Sequence, residues 1–456
     1  MYWCRWLLPL VCVLAYAQDS SEWNFHIQNT DIVEADPSFP AKYSGPNSLN
    51  NRSQVQQTAT FDIFAGLRLW SGAEAHVDGL LWQGFGLSKT FGIEDFPNGD
   101  AFKAGTVVPN GALAHLFIRQ TIGLGGEQED VSDGRFSLGG KQDISRLTIT
   151  LGRFDPEDVL DQNSYAGDAH AQFMNWGFMA NTSFDYGQDT VGNTTGIAIE
   201  LNQPKWALRY TFFQMPSMKN GFTGDDQFIM WPARGYYGPF LKSWAMAAEL
   251  ERRYSVRRHP GTFRILGWLD EAKFVNYNVA TAYLVAHPPG PNAPAGSGAD
   301  IPDSLRSYQF KYGFGLNWEQ ELSQSVGIFS RLGWNDGQQD AWTFTDVDHT
   351  ASLGLSIKGK PWRRPRDTFG FGAVFSGASR ANQKFLEAGG EDILDGDGKL
   401  TYGWEKALEA YYDFDIWKDT HFTLDYQFID NPAFNRDRGP VSVVGARLHW
   451  EFGLSR

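Results

Sequence analysis

A period of two constrains this chain more than any other feature. In VSVVGARLHWEF, residues 441–452, the even positions from Val444 onward are apolar: Val444, Ala446, Leu448, Trp450 and Phe452. The odd positions over that span are Gly445, Arg447, His449 and Glu451. Successive side chains of a strand point to opposite faces, so the segment has one greasy face and one charged face. A soluble sheet lays its greasy face on a core. A membrane barrel lays it on lipid and turns the charged face to water.

The pattern recurs. SYQFKYGFGLNW (307–318) sets Tyr308, Phe310, Tyr312, Phe314, Leu316 and Trp318 opposite Gln309, Lys311, Gly313, Gly315 and Asn317. RLTITLG (146–152), KWALRYTF (205–212), ASLGLSIK (351–358) and HFTLDYQF (421–428) alternate in the same way. Along the chain, strands are expected near 22–29, 58–70, 73–80, 113–123, 145–153, 193–201, 205–213 and 242–252. The second half adds 262–273, 308–319, 325–334, 349–358, 368–376, 403–415, 420–429 and 441–452, sixteen in all. Most are near the 9–11 residues a tilted membrane strand needs.

The connections between them sort by length. Short ones are Ser71-Gly72 and the stretches near 202–204, 253–261, 319–324, 359–367 and 416–419. Long ones are 30–57, 81–112, 154–192, 214–241, 274–307, 335–348, 377–402 and 430–440. Short and long alternate, as the periplasmic turns and external loops of an outer-membrane barrel do. Stretch 124–144 is the misfit, long where a short turn is due. An even strand number puts both ends of the barrel on the periplasmic side. The expected fold is therefore all-β, a transmembrane antiparallel barrel of about sixteen strands.

Composition agrees. The mean hydropathy of −0.38, with no run of eighteen apolar residues beyond the leader, excludes a helical membrane protein but not a barrel. The leader MYWCRWLLPLVCVLAYA has Arg5, an apolar run and Ala15-Tyr16-Ala17, and is expected to be a signal peptide spanning 1–17. The barrel domain is then 18–456. Val11 before Cys12 argues against a lipid anchor, and both cysteines, Cys4 and Cys12, lie in the leader. Losing Arg5 moves the formal charge from −14 to −15, which argues against nucleic acid as a partner.

Several segments resemble the carbohydrate-selective porin family, the OprB-like porins of Gram-negative outer membranes. They are WNFHIQNTDIVEADPSFPAKYSGPNSL (23–49), GLRLWSGAEAHVDGLLWQGFGLSKTFGIEDFPNGDAFKAG (66–105) and RQTIGLGGE (119–127). Later come LTITLGRFDPEDVLDQNSYAGD (147–168), DGDGKLTYGWE (395–405) and DYQFIDNPAFNRDRGPVSVVGARLHWEF (425–452). The resemblance implies a sixteen-stranded outer-membrane barrel that admits mono- or small oligosaccharides by passive diffusion. Such porins usually end on the aromatic of the last strand; here Gly453-Leu454-Ser455-Arg456 follow Phe452. Expected partners are carbohydrate solutes, outer-membrane lipid and lipopolysaccharide, and the barrel-assembly machinery through the last strand. A homotrimer is left open. The alternatives are a general or anion-selective porin, or a loop-plugged barrel with an adhesive or structural role.

A sugar-selective pore needs hydrogen-bonding groups and aromatic planes at a constriction. Strand parity directs Arg68, Glu74, His76, Asp78, Arg119, Arg146, Arg209, Trp268 and Lys311 to the lumen. Arg68, Arg119, Arg146 and Arg209 would form a basic arc on one wall. Stretch 154–192 carries Asp155, Glu157, Asp158, Asp161 and Asp168 and is expected to fold inward, setting its acids against that arc. No cofactor, metal or catalytic group is expected. Asp395, Asp397 and Gly398 fit part of a calcium loop, but its first and last positions fall on Ile393 and Trp404, so the stretch reads as a turn. No G-x-S-x-G motif accompanies the inward histidines.

Overall fold

The structure, a computed structural model, describes residues 21–101, 105–189, 191–217, 219, 228–229, 239, 241–288, 301–343 and 346–456. The expected signal peptide and most of the Pro/Gly/Ala-rich stretch 286–302 lie outside the described residues. Among those described, sixteen strands form a closed antiparallel barrel. They are β1 (Trp23–Asp36), β2 (Gln54–Trp70), β3 (Ala73–Gly84), β4 (Thr106–Gly123), β5 (Arg146–Phe154), β6 (Thr194–Gln203), β7 (Trp206–Gln214) and β8 (Trp244–Val256). The second half comprises β9 (His259–Ala272), β10 (Gln309–Ser323), β11 (Val326–Asn335), β12 (His349–Gly359), β13 (Arg364–Gly377), β14 (Glu405–Trp417), β15 (Thr420–Asp430) and β16 (Val441–Ser455). Each pairs with its sequence neighbours, and β16 returns to β1 in a register running from Asn24↔Ser455 to Ala35↔Val444. Closure leaves no open edge, the condition for spanning a bilayer with strands.

The alternation read from sequence appears as an inside-out protein. Tyr312 is 50% exposed and its neighbour Lys311 only 2%. Leu208, Tyr210, Leu353, Leu424, Val444 and Leu448 are likewise exposed, while Arg209, Ser352, Thr423, Arg447 and His449 are buried. Apolar groups outside and polar groups inside is the arrangement that lipid demands. No described helix is long and apolar enough to cross a membrane.

The strands run further than alternation alone indicated. The last one continues through Gly453, Leu454 and Ser455, which pair with His26, Phe25 and Asn24. The residues after Phe452 are thus strand, not a loose tail. At 253–261 and 359–367, β8, β9 and β13 extend into what looked like turns. The bend between β8 and β9 shrinks to Arg257-Arg258, both at positive φ (51° and 73°), as a two-residue hairpin that follows strand twist requires. The turns after even strands are Ser71–Gly72, 204–205, 257–258, 324–325, 360–363 and 418–419. The exception is 124–145, which carries a hairpin of Gln128–Val131 and Gly140–Asp143.

The buried apolar groups lie within the barrel, where loops fill it. Phe173 and Phe178 of stretch 155–193 pack on Phe329 of β11, and Phe173 also meets Tyr411 of β14. A second cluster joins Tyr277 and Leu284, on the helix Tyr277–Ala286, to Phe385 and Leu386 on the helix Arg380–Glu387.

Candidate functional site

Stretch 155–193 crosses the lumen, and the wall holds its backbone. A buried loop must satisfy its peptide groups, because an unpaired buried N–H or C=O is costly. Here inward side chains do so. The Glu249 carboxylate accepts from the Asp161 N–H at 2.8 Å, and Asn317 donates to the Asp161 carbonyl at 2.9 Å. Glu319 accepts from Ser164 N–H at 2.6 Å, and Glu409 from Met174 and Asn175 at 2.6 and 3.0 Å. Arg447 donates to the carbonyls of Ala169 and Gln172. The five anchors sit on β8, β10, β14 and β16, so the loop reaches the wall opposite β5.

The misfit stretch 124–145 enters from the other end. Asn24 donates to the carbonyls of Gly134 and Ser137 at 2.7 and 3.0 Å, and His26 meets Asp133 at 2.9 Å. These contacts place Phe136 against Phe64 and His115, with ring centroids 5.2 and 4.3 Å away. Arg135 donates to Gln28 at 2.9 Å and to Asp168 at 3.2 Å. The periplasmic insert and the external loop therefore touch inside the barrel.

Between them lies a cavity of about 470 Å³, within the range of small-molecule sites. Its acids are Asp62, Asp78, Asp100, Asp155, Glu157, Asp158 and Asp168; its basic groups are Arg135, His115 and His170. Phe136, Gln162, Asn163 and Asn193 add polar and aromatic groups to the lining. A smaller cavity of about 230 Å³ on the periplasmic side has Glu74, Arg119, Arg146, Glu200 and Arg209 on its walls. Asp158 and Gln162 line both.

Two loop carboxyls are shifted upward. Burial, then the neighbouring Asp158, pushes Asp155 to about 8. Burial and Asp155 raise Glu157 well above its usual range. Burial opposes charging His170, yet Asp168 and Asp100, at 2.8 and 3.2 Å, push its ring up to about 10. Burial also works against the Asp168 carboxylate, but His170 and Arg135 hold it well below the usual carboxylate range.

The residues singled out from sequence fall into different places. Arg119, Arg146 and Arg209 share the periplasmic-side cavity with Glu74 and Asp158; Arg68 is not among its lining residues and donates to the Ser21 carbonyl at 3.0 Å. Asp158 of the loop shares that cavity with them, while the direct partners of these arginines are other groups. Arg209 meets Glu249 and Glu251 at 2.8 and 3.0 Å and also Glu200. Glu200 and Glu249 are its cross-strand partners, where side chains naturally meet. Arg119 donates to the Phe136 carbonyl at 2.6 Å, and Arg146 to Glu129 of the hairpin at 2.6 Å.

The loop acids take other partners. Asp158 lies 3.0 Å from His115, which also holds Asp78 at 3.0 Å. Asp161 meets Arg331 at 2.8 Å. Asp155 accepts from the N–H of Glu157 and caps a short turn. His76 is buried beside Glu74 and Phe117. Trp268 and Lys311 point inward but are covered by the loop, Trp268 by Phe184 and Lys311 by Asp185 at 3.1 Å. Sequence reasoning missed Arg135, Phe136 and Asp100. The signal for the first two was the length of 124–144, a turn too long for its side of the membrane.

Residues 46–452 match the profile described as carbohydrate-selective porin, OprB family. The chain belongs to the OprB family of carbohydrate-selective porins. As an OprB-family protein it is a carbohydrate-selective channel of the bacterial outer membrane, and its fold and family are those of a channel rather than an enzyme. Among solved structures, OprB from Pseudomonas putida superposes with a TM-score of 0.68 at 17% identity, covering 94% of each chain. An anion-selective porin from Comamonas acidovorans gives 0.48 at 9% identity, over 94% of this chain and 98% of that one. A search of curated protein sequences returns no match.

Proposed function

We propose that a neutral monosaccharide passes through the acid-lined cavity between stretch 155–193 and the insert 124–145, and that this cavity sets the selectivity. The observation that carries the reading is its lining. Seven carboxyl groups, with Gln162, Asn163 and Asn193, offer hydrogen-bonding partners for sugar hydroxyls, and Phe136 offers an apolar plane. With Asp155 and Glu157 protonated, the five remaining carboxyl groups still outnumber Arg135, His115 and His170, which opposes anions, so an anion-selective pore fits the site poorly. Asp158 and Gln162, shared with the periplasmic-side cavity, then form the step between the two chambers.

Flux follows the gradient. Assembly is proposed to proceed through pairing of β16 with β1, with lipopolysaccharide around the apolar belt; a trimer would use the same belt. The cavity reading is tested by current through single channels in a planar bilayer. Added glucose is expected to reduce the conductance of the wild type in a saturable way, and less so in Asp158→Asn. A conductance indifferent to glucose would remove the cavity from the account.

A further inference from the structure

Three external loops bring together buried carboxylates that are not part of the cavity just described. Glu94 lies in the loop between β3 and β4, Asp346 between β11 and β12, and Asp395 between β13 and β14. They are 0%, 2% and 1% exposed, and one oxygen of each lies within 4.8 Å of the others. Oxygens that bind one calcium ion at about 2.4 Å are at most about 4.8 Å apart.

The partners of these oxygens divide cleanly. Glu94 uses Oε2 to accept the Asp346 N–H at 2.8 Å, and its Oε1 has no hydrogen-bond partner. Asp346 uses Oδ2 to accept the Leu394 N–H at 2.9 Å, and its Oδ1 has none. Neither oxygen of Asp395 has one. Four carboxylate oxygens are thus buried and unpartnered, on three side chains that each bring one oxygen within 4.8 Å of the others. Lys219, close by, is engaged by Asp340 and Asp392. Buried charges without a counter-charge are strongly unfavourable, and the backbone has fixed these groups in place. Gly92 N–H donates to the Leu394 carbonyl at 2.8 Å, and Asn47 to the Asp395 carbonyl at 3.1 Å.

We propose that Glu94, Asp346 and Asp395 bind a divalent cation of the size of calcium, which ties three external loops together. Oxygen-only donors and a coordination number that backbone oxygens or water can complete suit calcium. The single-loop pattern around Asp395 and Asp397 was incomplete in the sequence because two of the three ligands come from distant loops. Phe96, Trp176, Ala341 and Ile393 pack together with Leu394 in one apolar cluster, so the tied loops close over stretch 155–193.

The test uses the full chain, folded in detergent, stripped with a chelator and titrated with calcium chloride by equilibrium dialysis. One calcium per chain is expected, half-saturated at about 0.1–1 mM, the range of extracellular sites. Asp395→Asn and Asp346→Asn should each weaken binding at least about 10-fold. Asp303→Asn, at a fully exposed carboxylate, should leave it unchanged. As a second readout, the melting temperature of the wild type should fall on chelation and recover with calcium, and that of Asp395→Asn should respond to neither. If the variants fail to fold, the wild-type isotherm and melting shift decide. A folded wild type that binds no calcium at 10 times the upper value, or variants that bind it undiminished, would overturn the site; shared protons would then hold the carboxyls together.

Discussion

Arg135 and Asp168 lie 3.2 Å apart inside the barrel, and they arrive there from opposite ends of it. Arg135 belongs to a turn that enters from the periplasmic side, and Asp168 to a loop that enters from outside. Their contact narrows the lumen from two directions and supports each segment with the other.

Removing that contact should loosen the passage. Arg135→Ala deletes a long side chain from the cavity wall and leaves the cavity more acidic. Single-channel conductance should rise about 2- to 5-fold, with preference shifting further toward cations. Asp168→Asn should raise conductance less, because the side-chain volume stays. Unchanged conductance in both would mean that solute passes elsewhere.

His115 bridges Asp78 on β3 and Asp158 at the start of the crossing loop, at 3.0 Å to each. Replacing it with Phe keeps a ring against Phe136 but leaves two carboxylates facing each other. A loss of about 1–3 kcal/mol is expected for buried partners left unpaired, read as a lower urea midpoint in vesicles. His115→Phe in an Asp158→Asn background should lose less, since one charge is already gone.

The His170 cluster gives stability a pH signature. Its ring is raised from 6.5 to about 10 in the folded protein, so folding favours the protonated form. The contribution is fully present below about pH 6.5, declines above it and is lost as pH passes about 10. The stability difference between wild type and His170→Asn should shrink over that interval, measured by unfolding at a series of pH values. A difference that is constant from pH 6 to 10.5 would contradict the protonated ring.

Leu353 sits mid-strand on β12 and is 56% exposed. On a lipid-facing surface, Leu353→Arg should cost about 2–4 kcal/mol near the bilayer midplane. Unfolding in vesicles measures it. A neutral effect would place this face in water.

The barrel was legible because lipid enforces alternation on every strand. Tyr312 and Lys311 could not exchange faces without burying a charge in hydrocarbon. The strand ends were less legible, since lipid no longer dictates pattern at the rims, and β8, β9 and β16 each run on there. The lumen was legible only in part. Parity turned Arg209 inward, but its partner depended on register. The two-residue turn at 204–205 places Glu200 directly opposite Arg209, and reading the turn as 202–204 hid the pair. That stretch 154–192 turns inward was read from its length and its acids, but the path it takes across the lumen was not legible. Its contacts with Glu249, Glu409 and Arg447, and some of those with Asn317, are to backbone groups, which carry no residue pattern.

The most direct test of the sugar-channel account is swelling of liposomes that contain the purified protein, in equal osmolarities of glucose, glucuronate, a disaccharide and a neutral amino acid. The account predicts faster swelling with glucose than with glucuronate or the disaccharide, and faster than with an amino acid of similar size. Equal rates for glucose and glucuronate, or a faster anion, would contradict an acid-lined sugar passage.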